Sequence, residues 1–359
     1  MDIRLARRLT DLPVSREQWN ALAGATPGAT LFQTYEWFQC WWNAFGAGKE
    51  LFCATIWEDG SLLGIVPLMR FRRYGIRHLE FVGSPNGDYQ DFILGDRSAA
   101  LLPEIARFLH AERGQWDTLV LRNLPMESPT HHALPGLVRD VGLHVTDLER
   151  VACPTLQLAS RGEATHRLID RYSIRRRIKA MRQRGEISFR RITTKQELEA
   201  HLPQFFEQYV ERRRGSPAAR TFLRADVRDF FERLSDAMLT AGWLHFSALA
   251  LDGHPAAYHL GFEYRGRLYW YKPSFDPALR SLSPGLVLLH FLIRDAVERH
   301  LDELDFTVGA EPFKYRYSNA ERTNANVRVF RSRIHYATFL AVARLRGTAS
   351  RLRRATRPD

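Results

Sequence analysis

LHFSALALDGHPAAYHLGFEY (residues 244–264) reads as two extended segments joined at Asp252-Gly253, a dipeptide whose left-handed preference suits a two-residue hairpin. The same reading applies 193 residues earlier to LFCATIWEDGSLLGIVPLMRF (51–71), which turns at Asp59-Gly60. The segments beyond the two hairpins also agree. A further extended segment, LEFVGS (79–84) or LYWYKPSF (268–275), precedes an apolar helix, AALLPEIARFLHAERG (99–114) or PGLVLLHFLIRDAVERH (284–300). Each helix leads into a short strand, WDTLVLRN (116–123) or LDELDFTVG (301–309). The expected fold class is therefore α/β (α+β): two repeated units, each a mixed, mostly antiparallel sheet flanked by helices.

This pattern places a first unit at 1–155, a helical basic linker and the start of the second unit at 156–243, a core at 244–335 and a basic tail at 336–359. Within the linker, Ile174, Ile178 and Met181 recur at helical spacing, so the basic run is read as one amphipathic helix. KQELEAHLPQFFEQYVERRR (195–214) and RADVRDFFERLSDAMLTAG (224–242) read as two more, separated by the polar GSPAARTF (215–222).

Composition bounds the function. At 359 residues and 45% apolar content the chain can bury two ordinary cores. Cys40, Cys53 and Cys153 form no CxxC pair, which suits a reducing compartment and suggests neither disulfides nor a zinc knuckle. The N-terminus lacks an apolar signal region, and no stretch approaches the roughly 20 apolar residues needed to span a bilayer, so a cytoplasmic protein is expected. The net charge of +12 is concentrated in two windows, +6 in 170–184 and +5 in 344–359, leaving +1 for the rest. A nearly neutral body with two basic appendages is unlike a face that tracks a phosphate backbone, and nucleic acid is not an expected partner.

Several familiar signatures fail. GAGKE (46–50) ends like a P-loop, but Asn43 stands where the first glycine belongs and Glu50 replaces the Ser/Thr that would hold magnesium. There is no GxSxG or GxGxxG turn, and adjacent His131-His132 cannot face one way, so no metal site is expected. RSLSPGLVLLHFLI (280–293) is more informative. Ser283 and Pro284 suit an N-cap and a first helical position. Arg280, Ser281, Leu282, Ser283 and Gly285 also suit an anion cradle, in which unpaired helix N–H groups wrap a pyrophosphate. Cap and cradle both remain open on these residues alone.

The order strand, Arg-x-x-Ser-x-Gly (280–285), helix, strand resembles the pyrophosphate motif of GNAT acyl-CoA N-acyltransferases, with Ser283 at the first glycine position. LDFTVGAEPFKYRYS (304–318), LFQTYEWFQCWWNAF (31–45) and VGSPNGDYQDFIL (82–94) are similar to segments of FemAB-like and cellulose-biosynthesis-associated (CelD/BcsL-type) acetyltransferases. The resemblance covers roughly residues 25 to 335 and implies tandem GNAT-like units, acetyl-CoA as co-substrate and acyl transfer to an amine or hydroxyl, without a metal. The acceptor it implies is a small molecule or a saccharide or peptide precursor of polysaccharide or cell-envelope biosynthesis. A FemAB-like aminoacyl-tRNA donor is the enzyme alternative; a non-catalytic nucleotide-, saccharide- or nucleic-acid-binding protein of the same fold is the other.

In direct transfer the acceptor must lose a proton, an oxyanion must be stabilised and a thiolate protonated. Lys314 lies where the FemAB-like pattern has a lysine, so its ammonium could balance the oxyanion or simply be structural. His259 and Glu263, on one face of a strand, are candidate general bases or hold strand-edge hydrogen bonds. Tyr315 and Tyr317 are candidate thiol acids or packed tyrosines. Asp88, Tyr89 and Asp91 in NGDYQDF could line an acceptor groove between the halves or form a surface turn. Trp37, Trp41 and Trp42 fit core or domain-interface packing better than sugar stacking. The basic helix has three readings: contacts to phosphates, contact with an anionic membrane, or a solvated face. The arginine-rich tail could likewise sit on an anionic membrane.

Overall fold

The structure, a computed structural model, describes residues 1–158 and 172–343. The opening of the basic segment (159–171) and the arginine-rich tail (344–359), with the membrane contact expected of it, lie outside the described residues. The strands are β1 (Asp2–Ala6), β2 (Glu50–Glu58), β3 (Ser61–Arg73), β4 (Ile76–Phe81), β5 (Thr118–Pro125), β6 (His144–Gln157), β7 (Ile187–Ile192), β8 (Leu244–Leu251), β9 (His254–Tyr264), β10 (Arg267–Phe275), β11 (Glu303–Asp305) and β12 (Ala320–Phe330). The helices are α1 (Arg16–Ala25), α2 (Tyr35–Phe45), α3 (Ser98–Ala111), α4 (Pro129–Asp140), α5 (Tyr172–Arg182), α6 (Lys195–Arg212), α7 (Pro217–Phe222), α8 (Ala225–Thr240) and α9 (Pro284–Glu298).

Two compact units emerge. The first comprises residues 1–33, 48–150 and the chain from Asn324; the second comprises 34–47 and 151–323. In the first unit the strand order is β1-β2-β3-β4-β5-β12, with only β4 and β5 parallel. In the second it is β7-β8-β9-β10-β11-β6, again with one parallel pair, β10 and β11. The two orders are the same: edge strand, meander, parallel strand, outer antiparallel strand. The Asp-Gly turns that carry the repeat have both residues left-handed, φ 48° and 77° at Asp59-Gly60 and 49° and 78° at Asp252-Gly253, which is the hairpin geometry the dipeptide favours.

A linear division at 155/156 does not reproduce these units. The first takes its outer strand, β12, from beyond the whole second unit in sequence, and the second takes α2 from near the N-terminus. Trp37 of α2 explains that assignment. It is fully buried, with its ring edge-on to Phe230, Phe262 and Tyr271 at centroid separations of 5.6, 6.2 and 5.9 Å. Such contacts are core packing.

Each unit has its own core. In the first, Leu101, Leu102, Ile105 and Leu109 of α3 pack on the sheet. In the second, Leu288, Leu292 and Ala296 recur along α9 and join Leu268, Trp270 and Leu304. The periodic apolar positions of the basic helix also behave as read: Ile174 and Met181 are buried, and Ile178 packs against the second core. No described helix is long and apolar enough to cross a membrane.

Candidate active site

The second unit opens where β10 and β11 part. Their parallel pairing covers only Arg267, Leu268 and Tyr269 against Glu303, Leu304 and Asp305. Beyond Asp305 the chain bonds to β6: Phe306 N–H donates to the Pro154 carbonyl (3.1 Å) and Gly309 N–H to that of Ala152 (2.9 Å). β10 continues to Phe275 against β9, so the two parallel strands are unpaired beyond Tyr269 and Asp305, a gap in the ladder.

At the mouth of this gap β10 carries a bulge. Tyr269 opposes Phe262 and Lys272 opposes Leu260, so Trp270 and Tyr271 together face Gly261. A Cβ on Gly261 would lie 2.1 Å from the His259 ring and 2.4 Å from the Tyr269 carbonyl oxygen. The missing side chain lets His259 lie across this position, stacked on Trp270 with centroids 4.8 Å apart.

Past β10 comes a right-handed 3₁₀ turn, Pro277–Leu282, whose start is held by Asp276 accepting from Ala278 N–H at 2.9 Å. Ser283 then reverses hand, with φ 55° and ψ 50°, and α9 begins at Pro284. Ser283 N–H donates back to the Arg280 carbonyl at 3.1 Å, Leu286 and Val287 N–H to that of Ser283, and Pro284 has no N–H, which leaves the Gly285 N–H as the donor at the positive end of the helix. The sequence reading of Ser283 is corrected in part: it occupies the N-cap position, but its side chain makes no capping bond. A capping hydroxyl needs an extended backbone, which Ser283 does not have. A left-handed residue with a side chain costs about 1–2 kcal/mol, which is the physical reason glycine is preferred at such a turn. Gly285 has the opposite character. A Cβ there would only touch Phe275 at 3.4 Å, so nothing in the chain requires a glycine and the space beside the turn is open.

Arginines that the sequence reading missed sit against this turn. Arg212, ending α6, places its guanidinium 4.4 Å from the centroid of Phe275, the residue that faces Gly285, and donates to the Pro273 carbonyl at 2.7 Å. Arg213 donates to the same carbonyl at 3.4 Å and lies 3.9 Å over the Tyr209 ring. Burial first, then the charges of Arg213 and Arg280, pull Arg212 down to about 10. Among the described residues none of the three has a carboxylate within 4 Å. Sequence offered only ERRRG at a helix end; their nearness to the turn depends on how α6 packs on β10.

The other expected residues separate into distinct environments. His259 is fully buried, and burial, reinforced by neighbouring His245, holds its imidazole well below the usual histidine range. Glu263 forms an ion pair with Arg299 at 2.5 Å. Lys314 is buried with its ammonium on the carbonyl of Val308 (2.8 Å), that of Thr307 (3.5 Å) and the Glu311 carboxylate (2.9 Å). Three donors thus meet three acceptors of its own loop. Gly309, with φ 117°, belongs to that loop, and a Cβ there would press on Glu311 and Lys314. Tyr315 is half exposed and donates to Glu321 at 2.7 Å, whereas Tyr317 packs in the core. A Lys314→Met variant is therefore expected to lose about 2 kcal/mol of stability in urea unfolding, because it strips buried acceptors of their donor. Undiminished stability with slowed turnover would instead mark an ammonium that reaches for substrate.

Asp88, Tyr89 and Asp91 belong to the first unit and are not at a surface turn. Asp88 and Tyr89 are buried, with backbone carbonyls accepting from Asn324 (2.8 Å) and Gln33 (3.0 Å). Asp91 accepts from Ser128, from Thr130 and from Phe92 N–H at 2.7 Å, yet burial outweighs these bonds and pushes its carboxyl up to about 6. A raised acid stabilises the fold below its unfolded value near 4, and that contribution is lost as pH rises through about 6. Asp91→Asn is expected to flatten the stability difference between pH 4.5 and 7 relative to wild type, measured by urea midpoints; equal differences would show a carboxylate that is not desolvated.

Residues 170–315, which span this site, match the family model described as Acetyltransferase (GNAT) domain. Among solved structures the chain is similar to FemX, with a TM-score of 0.62 and 11% identity over 91% of this chain and 97% of that one. It is also similar to L-PGS from Bacillus licheniformis (TM-score 0.54, 13% identity, 93% and 97% covered). A third is the C-terminal domain of a putative lysylphosphatidylglycerol synthetase from Agrobacterium fabrum (0.54, 11%, 92% and 95%). At these identities the likeness is one of fold. No curated protein sequence matches the chain. Residues 170–315 are thus similar to a GNAT acetyltransferase domain, and the whole described chain has the mixed, mostly antiparallel α/β fold expected of the repeat.

Proposed function

We propose that the protein transfers an acetyl group from acetyl-CoA to an amine or hydroxyl of a saccharide or peptide precursor, on the cytoplasmic side of polysaccharide or envelope synthesis. The observation that carries this reading is the gap between β10 and β11 opening beside a left-handed turn that heads α9. The residues present fit the cofactor: the turn leaves room at Gly285, Arg280 is exposed on it, Arg212 stands one aromatic ring away, and Arg213 shares with Arg212 the Pro273 carbonyl. Bound acetyl-CoA would supply an activated thioester.

The chain's own contributions are binding and positioning. The Gly285 N–H at the head of α9 and the three arginines hold phosphate oxygens, the favoured partners of such donors. The bulge at Trp270-Tyr271 keeps the β10 backbone clear of β11. Ser274, fully buried on the Tyr258 face of β10, has a hydroxyl with no partner among the described residues, a group that a bound ligand would satisfy.

The test compares donors. Acetyl-CoA should raise the unfolding temperature, and CoA should be released when amine or hydroxyl sugars are added. Transfer from aminoacyl-tRNA, with no response to acetyl-CoA, would assign the donor of the alternative reading. RNA binding with steep salt dependence and no turnover from either donor would remove the enzyme reading.

A further inference from the structure

The β3–β4 hairpin tip of the first unit, RRYGIR (72–77), is built at a cost to the fold. Tyr74 and Gly75 form its turn with φ 51° and 78°, and a bulky side chain in the left-handed region is an outlier. The chain puts Asp at that turn position in its Asp59-Gly60 and Asp252-Gly253 hairpins, and a charged residue, Arg265 with φ 50°, in the equivalent β9–β10 turn. Tyr74 is also 89% exposed, and Ile76 beside it is 43% exposed. An aromatic in a strained backbone, covering nothing in its own unit, is explained by what it presents.

The surroundings are cationic. Arg72 and Arg73 are exposed, with no carboxylate within 4 Å among the described residues, and Arg73 lies 5.3 Å over the Tyr74 ring. At the base of the hairpin is a groove of about 620 Å³ lined by Lys49, Arg70, Arg72 and Arg77, with Glu50 as its one acid. That carboxylate is shared by Arg7 (3.1 Å) and Arg70. Arg70 is further fixed by the Gln115 side chain at 2.6 Å, and Arg77 by Asp117 at 2.9 Å. Guanidinium groups held in place ahead of binding suit a phosphate.

We propose that this hairpin is a docking site for an anionic phospholipid surface, with a lipid phosphate in the groove and Tyr74 and Ile76 at the interface. The convex tip favours a membrane over nucleic acid, since it offers no extended row of cations to follow a phosphate backbone. Tyrosine has the apolar body and polar end that interfaces select, and unpaired arginines are attracted to anionic headgroups.

Co-sedimentation of the full chain with phosphatidylglycerol/phosphatidylcholine vesicles tests it, because the basic tail is common to every variant. Arg72→Gln/Arg73→Gln is expected to weaken binding about 30-fold. Tyr74→Asn should weaken it several-fold while leaving the unfolding temperature unchanged or raised, since asparagine tolerates the left-handed turn. Unchanged vesicle binding in both variants would overturn the proposal. So would binding of glycerol phosphate or inorganic phosphate in the groove without vesicle binding, or an RNA affinity sensitive to these variants in protein that ignores vesicles.

Discussion

Gly285→Glu is expected to bind acetyl-CoA at least 100-fold more weakly than wild type while unfolding at the same temperature or slightly above it. The two halves of this result have separate causes. The position is open, with Phe275 at 3.4 Å as the neighbour a Cβ would reach, so the backbone accepts a side chain without strain. Glutamate also suits the first turn of a helix better than glycine does, through both backbone entropy and the helix dipole. For an incoming pyrophosphate the same carboxylate is a like charge inside the cradle, and such juxtapositions cost several kcal/mol, or two or more powers of ten in affinity. Calorimetric titration with a parallel melting curve reads both. A variant that loses binding because it no longer folds would undercut the assignment of the turn.

Gly261→Ala is expected to do the reverse, destabilising the protein by about 2–3 kcal/mol in urea unfolding. Here the new methyl would meet the His259 ring at 2.1 Å and the Tyr269 carbonyl at 2.4 Å. Neither can withdraw easily, because the ring is fixed between His245 and Trp270 and the carbonyl belongs to the bulged strand. Overpacking of this kind strains cores by about 1–3 kcal/mol. Relief requires the bulge to shift, so acetyl-CoA affinity should fall along with stability. If the alanine variant were as stable as wild type, the bulge would be softer than its packing implies.

The contrast between these glycines marks what sequence can and cannot disclose. The Asp-Gly hairpins, the crossover helices and the amphipathic Ile174-Ile178-Met181 face are local patterns, and the chain follows them. The turn at 280–285 is also local, although the left-handed backbone of Ser283 is not evident from a serine before a proline. The gap beside it is not local, because it exists through Phe306 and Gly309 bonding to Pro154 and Ala152, about 150 residues away in sequence. The exchange of β12 and α2 between the units has the same origin in distant pairing. Side-chain identity likewise cannot specify a partner. Lys314 and Glu263 read as chemical groups, and the fold gives them Val308, Glu311 and Arg299. Arg212 read as part of a charged helix end, and the fold sets it on Phe275.

A crystal structure with CoA bound tests the cofactor site most directly. The pyrophosphate is expected against the Gly285 N–H at the head of α9, near Arg280 and Arg212, with the thiol end between β10 and β11 beyond Tyr269 and Asp305. CoA bound elsewhere on the chain, with that gap closed or empty, would contradict it.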